Sequence, residues 1–156
     1  VRLTDLARIA VGSTPVQVGF PPDGTRVYVS LRDENRVAII DTDSRSLIGT
    51  IEVGRNPIQV YATPDGQFVY VANQGTDAEP ADTVSVIEVS SGKVVDTIQT
   101  GMGAHGVVLS SDGAWAFVTN IVDGTVSAID VTTGKVVADF SVGRGPNGIT
   151  YRPPQG

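Results

Sequence analysis

The chain holds one histidine, His105, and no cysteine. Thiolate metal sites, disulfides and cysteine nucleophiles are therefore excluded, and a tetrahedral zinc site would have to be built mainly from carboxylates. The lone imidazole is the group best suited to ligating a metal or moving a proton near neutral pH, and its competing role is a histidine bonded to water or backbone. Arg55 and Arg144 occupy matching places in two similar segments, where planar guanidinium groups could clamp an anion or stand as a solvated rim. Gly101–Gly106 and Gly143–Gly148 both read G-x-G-x-x-G. A phosphate cradle needs that pattern to open a helix whose N-terminal amides face the anion. Here each copy runs into β-rich sequence, Val107-Val108-Leu109 or Ile149-Thr150-Tyr151, which argues against a dinucleotide site. Asp77, Glu79 and Asp82 are calcium-ligand types, but their spacing fits no calcium motif and Pro80 breaks the run, so a solvated acidic loop is expected. No G-x-S-x-G elbow is present, and most aspartates fall in Pro-Asp-Gly turns or at strand ends, where they cap amides rather than pair for catalysis.

The elements that must position these groups are legible in the composition. The 156 residues carry 17 acidic against 11 basic side chains, a formal net charge of −6, which excludes the basic face a nucleic-acid binder needs. No apolar run is long enough for a membrane span, and no basic-then-apolar signal segment opens the chain. Valine outnumbers leucine 25 to 5, and stiff β-branched side chains suit a pleated surface. The chain is expected to be all-β.

A repeat fixes the architecture further. Val11-Gly12-Ser13-Thr14-Pro15 recurs as Val53-Gly54-Arg55-Asn56-Pro57, Thr100-Gly101-Met102-Gly103-Ala104 and Val142-Gly143-Arg144-Gly145-Pro146, with glycine spacings of 42, 47 and 42. Ten residues beyond the glycine stand Pro22-Asp23-Gly24, Pro64-Asp65-Gly66 and Ser111-Asp112-Gly113, each followed by two β-rich runs and a closing one. Four short strands in a unit of just over 40 residues describe a propeller blade, whereas a sandwich would not repeat its sequence at a fixed period. Strands are expected near 15–20, 26–31, 36–41 and 46–52 and at the equivalent places in the next two units. The five extra residues of the second unit, between Asn73 and Asp82, read as a loop insertion.

Tyr70-Val71-Ala72-Asn73 and Phe117-Val118-Thr119-Asn120 resemble the Tyr-Val-Thr-Asn motif of the YVTN β-propeller repeat family, with Tyr28-Val29-Ser30-Leu31 a weaker copy. The resemblance covers essentially the whole chain. It implies a propeller, usually of about seven four-stranded blades, and a periplasmic or extracellular setting. Related propellers include lactonase-like enzymes and the haem-binding domain of cytochrome cd-type nitrite reductase. It also implies that His105 opens an innermost, channel-lining strand, and that ligands bind on the face of the blade-joining turns. Arg55, Arg144 and Asn147 would sit on that face from those turns, joined by Arg32, Asn73 and Asn120 from the loops between second and third strands. The function expected is a non-enzymatic binding or scaffold module without a cofactor. The alternative is a redox or hydrolytic propeller holding haem or a small anion through His105.

The strand count does not close a ring. Residues 4–11 match the last strand of a unit and residues 147–151 a first strand, giving fourteen strands, or three and a half blades. The chain is read as one domain, 1–156, with units 12–53, 54–100 and 101–142 and the start of a fourth at 143–156. Its open blade edges are expected to be covered by a protein partner or by a second copy.

Overall fold

The computed structural model describes residues 5–153. It contains three antiparallel sheets of four strands each. The first is β1 (Pro15–Gly19), β2 (Arg26–Leu31), β3 (Arg36–Asp41) and β4 (Ser46–Glu52). The second is β5 (Pro57–Ala62), β6 (Phe68–Gly75), β7 (Pro80–Glu88) and β8 (Lys93–Gln99); the third is β9 (Ala104–Leu109), β10 (Trp115–Asn120), β11 (Thr125–Asp130) and β12 (Lys135–Ser141). Each sheet is one repeat unit running in chain order from an innermost to an outermost strand, which is a propeller blade. The one helical turn described, 3-10 at Arg32–Glu34, is three residues long.

Strand periodicity explains the packing. Successive side chains point to opposite faces, so each blade carries two apolar faces. Tyr28, Val37 and Ile39 of the first blade meet Val69, Val71 and Ile87 of the second in one buried cluster. Tyr70, Ala72, Val84 and Val86, on the opposite face of the second blade, meet Ala116, Val118 and Ile129 of the third. The innermost strands are tied side by side through side chains: Gln17 Oε1 accepts the Val60 amide at 2.7 Å, and Gln59 Oε1 accepts the Val107 amide at 3.2 Å.

Two expectations from the repeat are corrected. Among the described residues there are twelve strands, not fourteen: 5–11 and 147–151 form none, and residue 4 lies outside the described residues. A strand needs a ladder partner, and neither segment has the rest of its own blade beside it. The 147–151 segment nevertheless lies along the third blade, where Tyr151 stacks on Phe117 with ring centroids 6.3 Å apart and planes 10° from parallel. The second correction concerns the insertion, which lengthens a hairpin. β6 and β7 run past the Asn73–Thr83 pair to Gly75 opposite Pro80, so that only the tip between them is a loop.

The blade-joining glycines also gain a reason. Gly54 and Gly101 do not have positive φ; a Cβ at Gly54 would collide with the Asn73 amide, and one at Gly101 would lie 2.6 Å from Asn120 Nδ2. Gly143 instead has φ +110 with open space around it. Gly54→Ala should therefore destabilise by about 1–3 kcal/mol, and less when Asn73→Ala is already present, the coupling expected of residues in contact. Gly143→Ala should cost about 1 kcal/mol through backbone strain, independently of Asn120. Chemical denaturation of the singles and the double variant checks this, and additive effects at Gly54 and Asn73 would contradict the contact.

Candidate functional site

The turns that join the blades are held by carboxylates from the neighbouring loops. Glu34 Oε1 accepts the Ser13 amide at 2.5 Å and the Ser13 hydroxyl at 2.9 Å, and Asp123 Oδ2 accepts the Met102 amide at 2.8 Å. The Ser13 amide and hydroxyl accordingly hold the Glu34 carboxyl below its ordinary range. In the Gly101–Gly106 segment the Gly103 amide also donates to Ala81 O and the Gly106 amide to Thr119 Oγ1 at 2.8 Å. These amides already have acceptors, and the segment opens β9 rather than a helix, so it has no phosphate cradle.

His105 is the second residue of β9 and is half-buried. Its Nδ1 is buried without a hydrogen-bond partner among the described residues. Burial pushes the imidazole pKa below its ordinary 6.5, opposed by the backbone of Asn147 beside the ring. The ring therefore favours its neutral form at pH 7.

The other sequence-predicted residues divide into two groups. Arg32, Arg55, Arg144 and Asn147 are exposed. Arg32 pairs with Asp33 at 2.9 Å, and Arg55 reaches across to Glu79 at the hairpin tip at 2.6 Å. Such exposed pairs contribute little stability, but an anion at Arg55 would have to displace a carboxylate already in place. Asn73 and Asn120 are fully buried rather than presented on the face. Asn73 Nδ2 donates to Thr83 Oγ1 at 3.1 Å and Ser85 Oγ at 3.0 Å; Asn120 Nδ2 donates to Thr125 Oγ1 at 2.9 Å and Ser127 Oγ at 2.8 Å. Their amides brace the β6–β7 and β10–β11 hairpins against the preceding turn. Asp77, Glu79 and Asp82 are not brought together: Asp82 lies in β7 and its Oδ2 accepts from Gln99, while Glu79 holds Arg55. No group of three potential metal ligands occurs among the described residues.

A cleft lies at the other end of the innermost strands. It measures about 550 Å³ and is lined by the ends of β1, β5 and β9, the residues that follow them, and Tyr151. The sequence signal was present: the eighth residue after each repeat glycine is Phe20, Ala62, Leu109 or Tyr151, and all four reach this cleft.

Twisted four-stranded blades set side by side around their first strands define a β-propeller segment. The chain belongs to the YNCE-like beta-propeller family, which it matches over residues 3–153. No curated protein matches it. Among solved structures it is similar to Kuenenia stuttgartiensis hydrazine synthase, with 26% identity and a TM-score of 0.78 over 86% of this chain. It spans 38% of the length of that enzyme chain. No described helix is long and apolar enough to cross a membrane.

The imidazole's burial has a measurable consequence. A histidine whose pKa is depressed on folding binds fewer protons in the folded than in the unfolded state. Its contribution to stability is intact above the unfolded value near 6.5 and is lost as pH falls through the lower folded value. An NMR titration of His105 should give a midpoint below 6.5. The unfolding midpoint should also fall more steeply between about pH 6.5 and 5 than in His105→Gln. A normal midpoint with matching pH profiles would show that the ring is solvated.

Proposed function

We propose that the chain is a non-enzymatic binding and scaffold module, working outside the cytoplasm, whose open blade faces take up further propeller or partner surface. The observation that carries this reading is the state of the two outer faces. On the first blade Val16, Val18 and Phe20 are 44%, 53% and 56% exposed, and on the third Phe140 is 53% exposed. Val18 pairs with Val29 in register, and so faces away from the second blade together with Val27 and Ile40. Apolar strands in this position are covered in a closed propeller and left bare in an arc of three. Many hydroxyl and carboxylate groups of the kind catalysis recruits hold turns instead. Ser44 donates to Asp41, Thr63 to Asp65 and Ser110 to Asp112, and the Thr133 amide donates to Asp130. The extracytoplasmic setting rests on the resemblance to YVTN propellers alone.

Light scattering coupled to size-exclusion chromatography tests the reading. The expected result is a mass above the 16.2 kDa of one chain, or stable capture of a propeller-bearing partner. Replacing Val16 and Val18 by Lys should return the chain to monomer. A compact, cooperatively unfolding monomer of 16.2 kDa would overturn it.

A second reading is favoured by one observation, the unpartnered His105 Nδ1. In it, His105 holds haem or a small anion at the blade-joining end, as the resemblance to redox and lactonase-like propellers implies. Titration with haemin should then produce a Soret shift that His105→Ala abolishes without changing the unfolding free energy by more than about 1 kcal/mol. Indifference of the spectrum to this variant would leave the scaffold reading alone.

A further inference from the structure

The cleft at the far end of the innermost strands has a chemistry unlike that of the His105 end. Its walls carry the aromatic residues Phe20, Tyr61 and Tyr151, and Leu109. Phe20 and Tyr61 are substantially exposed although both are large and apolar. Polar atoms enter through Thr63 and Ser110, which are buried and line the cleft. Both hydroxyls are hydrogen-bonded to carboxylates: Thr63 Oγ1 donates to Asp65 Oδ1 at 2.5 Å, and Ser110 Oγ donates to Asp112 Oδ1 at 2.5 Å. The Asp65 and Asp112 carboxyls are thereby held below their ordinary range and stay ionised at neutral pH. Asp23 follows Pro22, which lines the cleft, and completes the series of turn aspartates.

Aromatic faces present negative quadrupole to a ligand, and the carboxylates bonded to the lining Thr63 and Ser110 hydroxyls add negative charge just behind the wall. An anionic ligand is disfavoured by both. A small polar ligand would leave the rings uncovered. We propose that this cleft binds an organic cation with an apolar body, an aryl- or alkylammonium compound, its charge near Asp65 and Asp112 and its body against Tyr61, Phe20 and Tyr151. The cleft's volume suits a molecule of that size. Arg152, exposed between the lining residues Tyr151 and Pro153, places a positive charge beside the cleft that opposes a bound cation. The inference shares Phe20 with the open face of the first blade and is independent of His105.

Isothermal titration calorimetry with benzyltrimethylammonium, and with benzenesulfonate as the control of opposite charge, tests it. The cation should bind with millimolar or tighter affinity, the strength of a few desolvated cation–aromatic contacts, and the sulfonate should not. Tyr61→Ala should weaken the cation roughly tenfold. Arg152→Gln, an exposed change that leaves the fold intact, should strengthen it about two- to threefold. No heat with the cation, equal binding of the sulfonate, an unchanged affinity in a folded Tyr61→Ala protein, or weaker binding by Arg152→Gln would each overturn the proposal. Oligomeric state, measured on the same samples, reports separately on the blade faces.

Discussion

Every blade here is a thin sheet with apolar side chains on both faces, and neither face can be buried by the blade itself. The strict period of two along β2, β6 and β10 enforces this. Tyr28, Tyr70 and Phe117 look toward the next blade, while Val29, Val71 and Val118 look toward the preceding one. Stability therefore comes from stacking, and each blade depends on neighbours at both sides. The second blade has both neighbours and supplies residues to both large buried clusters. The first and third have one each. The chain's remaining segments act on those two exceptions: Val11 packs against Val29 and Leu31 at one end, and Tyr151 lies on Phe117 at the other.

Stacking apolar sheets fixes neither their angle nor their register, and polar groups do that work. In the second and third blades a buried asparagine ties two strands of its own blade together while its amide fills the space beside the glycine of the preceding turn. A buried amide with satisfied donors is directional in a way valine packing is not. The first blade lacks this device. Leu31 stands in place of asparagine, and Glu34 grips the incoming turn from outside.

The blade period, the strand order and the turn positions were legible because each follows from local rules repeated in register: Pro-Asp-Gly turns, valine-rich alternation, and a glycine before each innermost strand. The half-blades were not, because a sequence that matches a strand becomes one only when a ladder partner exists. The orientation of Asn73 and Asn120 was hidden for a related reason. A polar residue at a strand end reads as a loop residue unless its buried partners are known. The signal was a covariation inside the chain itself. Asn73 accompanies Thr83 and Ser85, and Asn120 accompanies Thr125 and Ser127, whereas Leu31 accompanies Arg36 and Ala38. The hairpin extension at Gly75–Pro80 had no comparable signal, since its residues are polar and carry no alternation.

The two ends of the innermost strands have consequently come to differ in chemical character. At the blade-joining end, carboxylates, turn amides and arginines largely satisfy one another, as in Glu34 with Ser13, Asp123 with Met102 and Arg55 with Glu79. Those contacts are what closes one blade onto the next, so a ligand there competes with the fold. His105 Nδ1 has no partner among the described residues, as is also true of the buried Asn73 and Asn120 Oδ1 atoms. At the far end the turns are held differently. Each Pro-Asp-Gly or Ser-Asp-Gly aspartate accepts hydrogen bonds from residues within two positions of itself. Local turns of this kind need nothing from the neighbouring blade. The residues between them, Phe20, Ala62, Leu109 and Tyr151, vary from aromatic to small: Ala62 and Leu109 still pack in the clusters between blades, whereas Phe20 stands exposed. A repeat protein varies such strand-end positions unit by unit, and a cleft lined by them is where specificity for a ligand is most readily acquired.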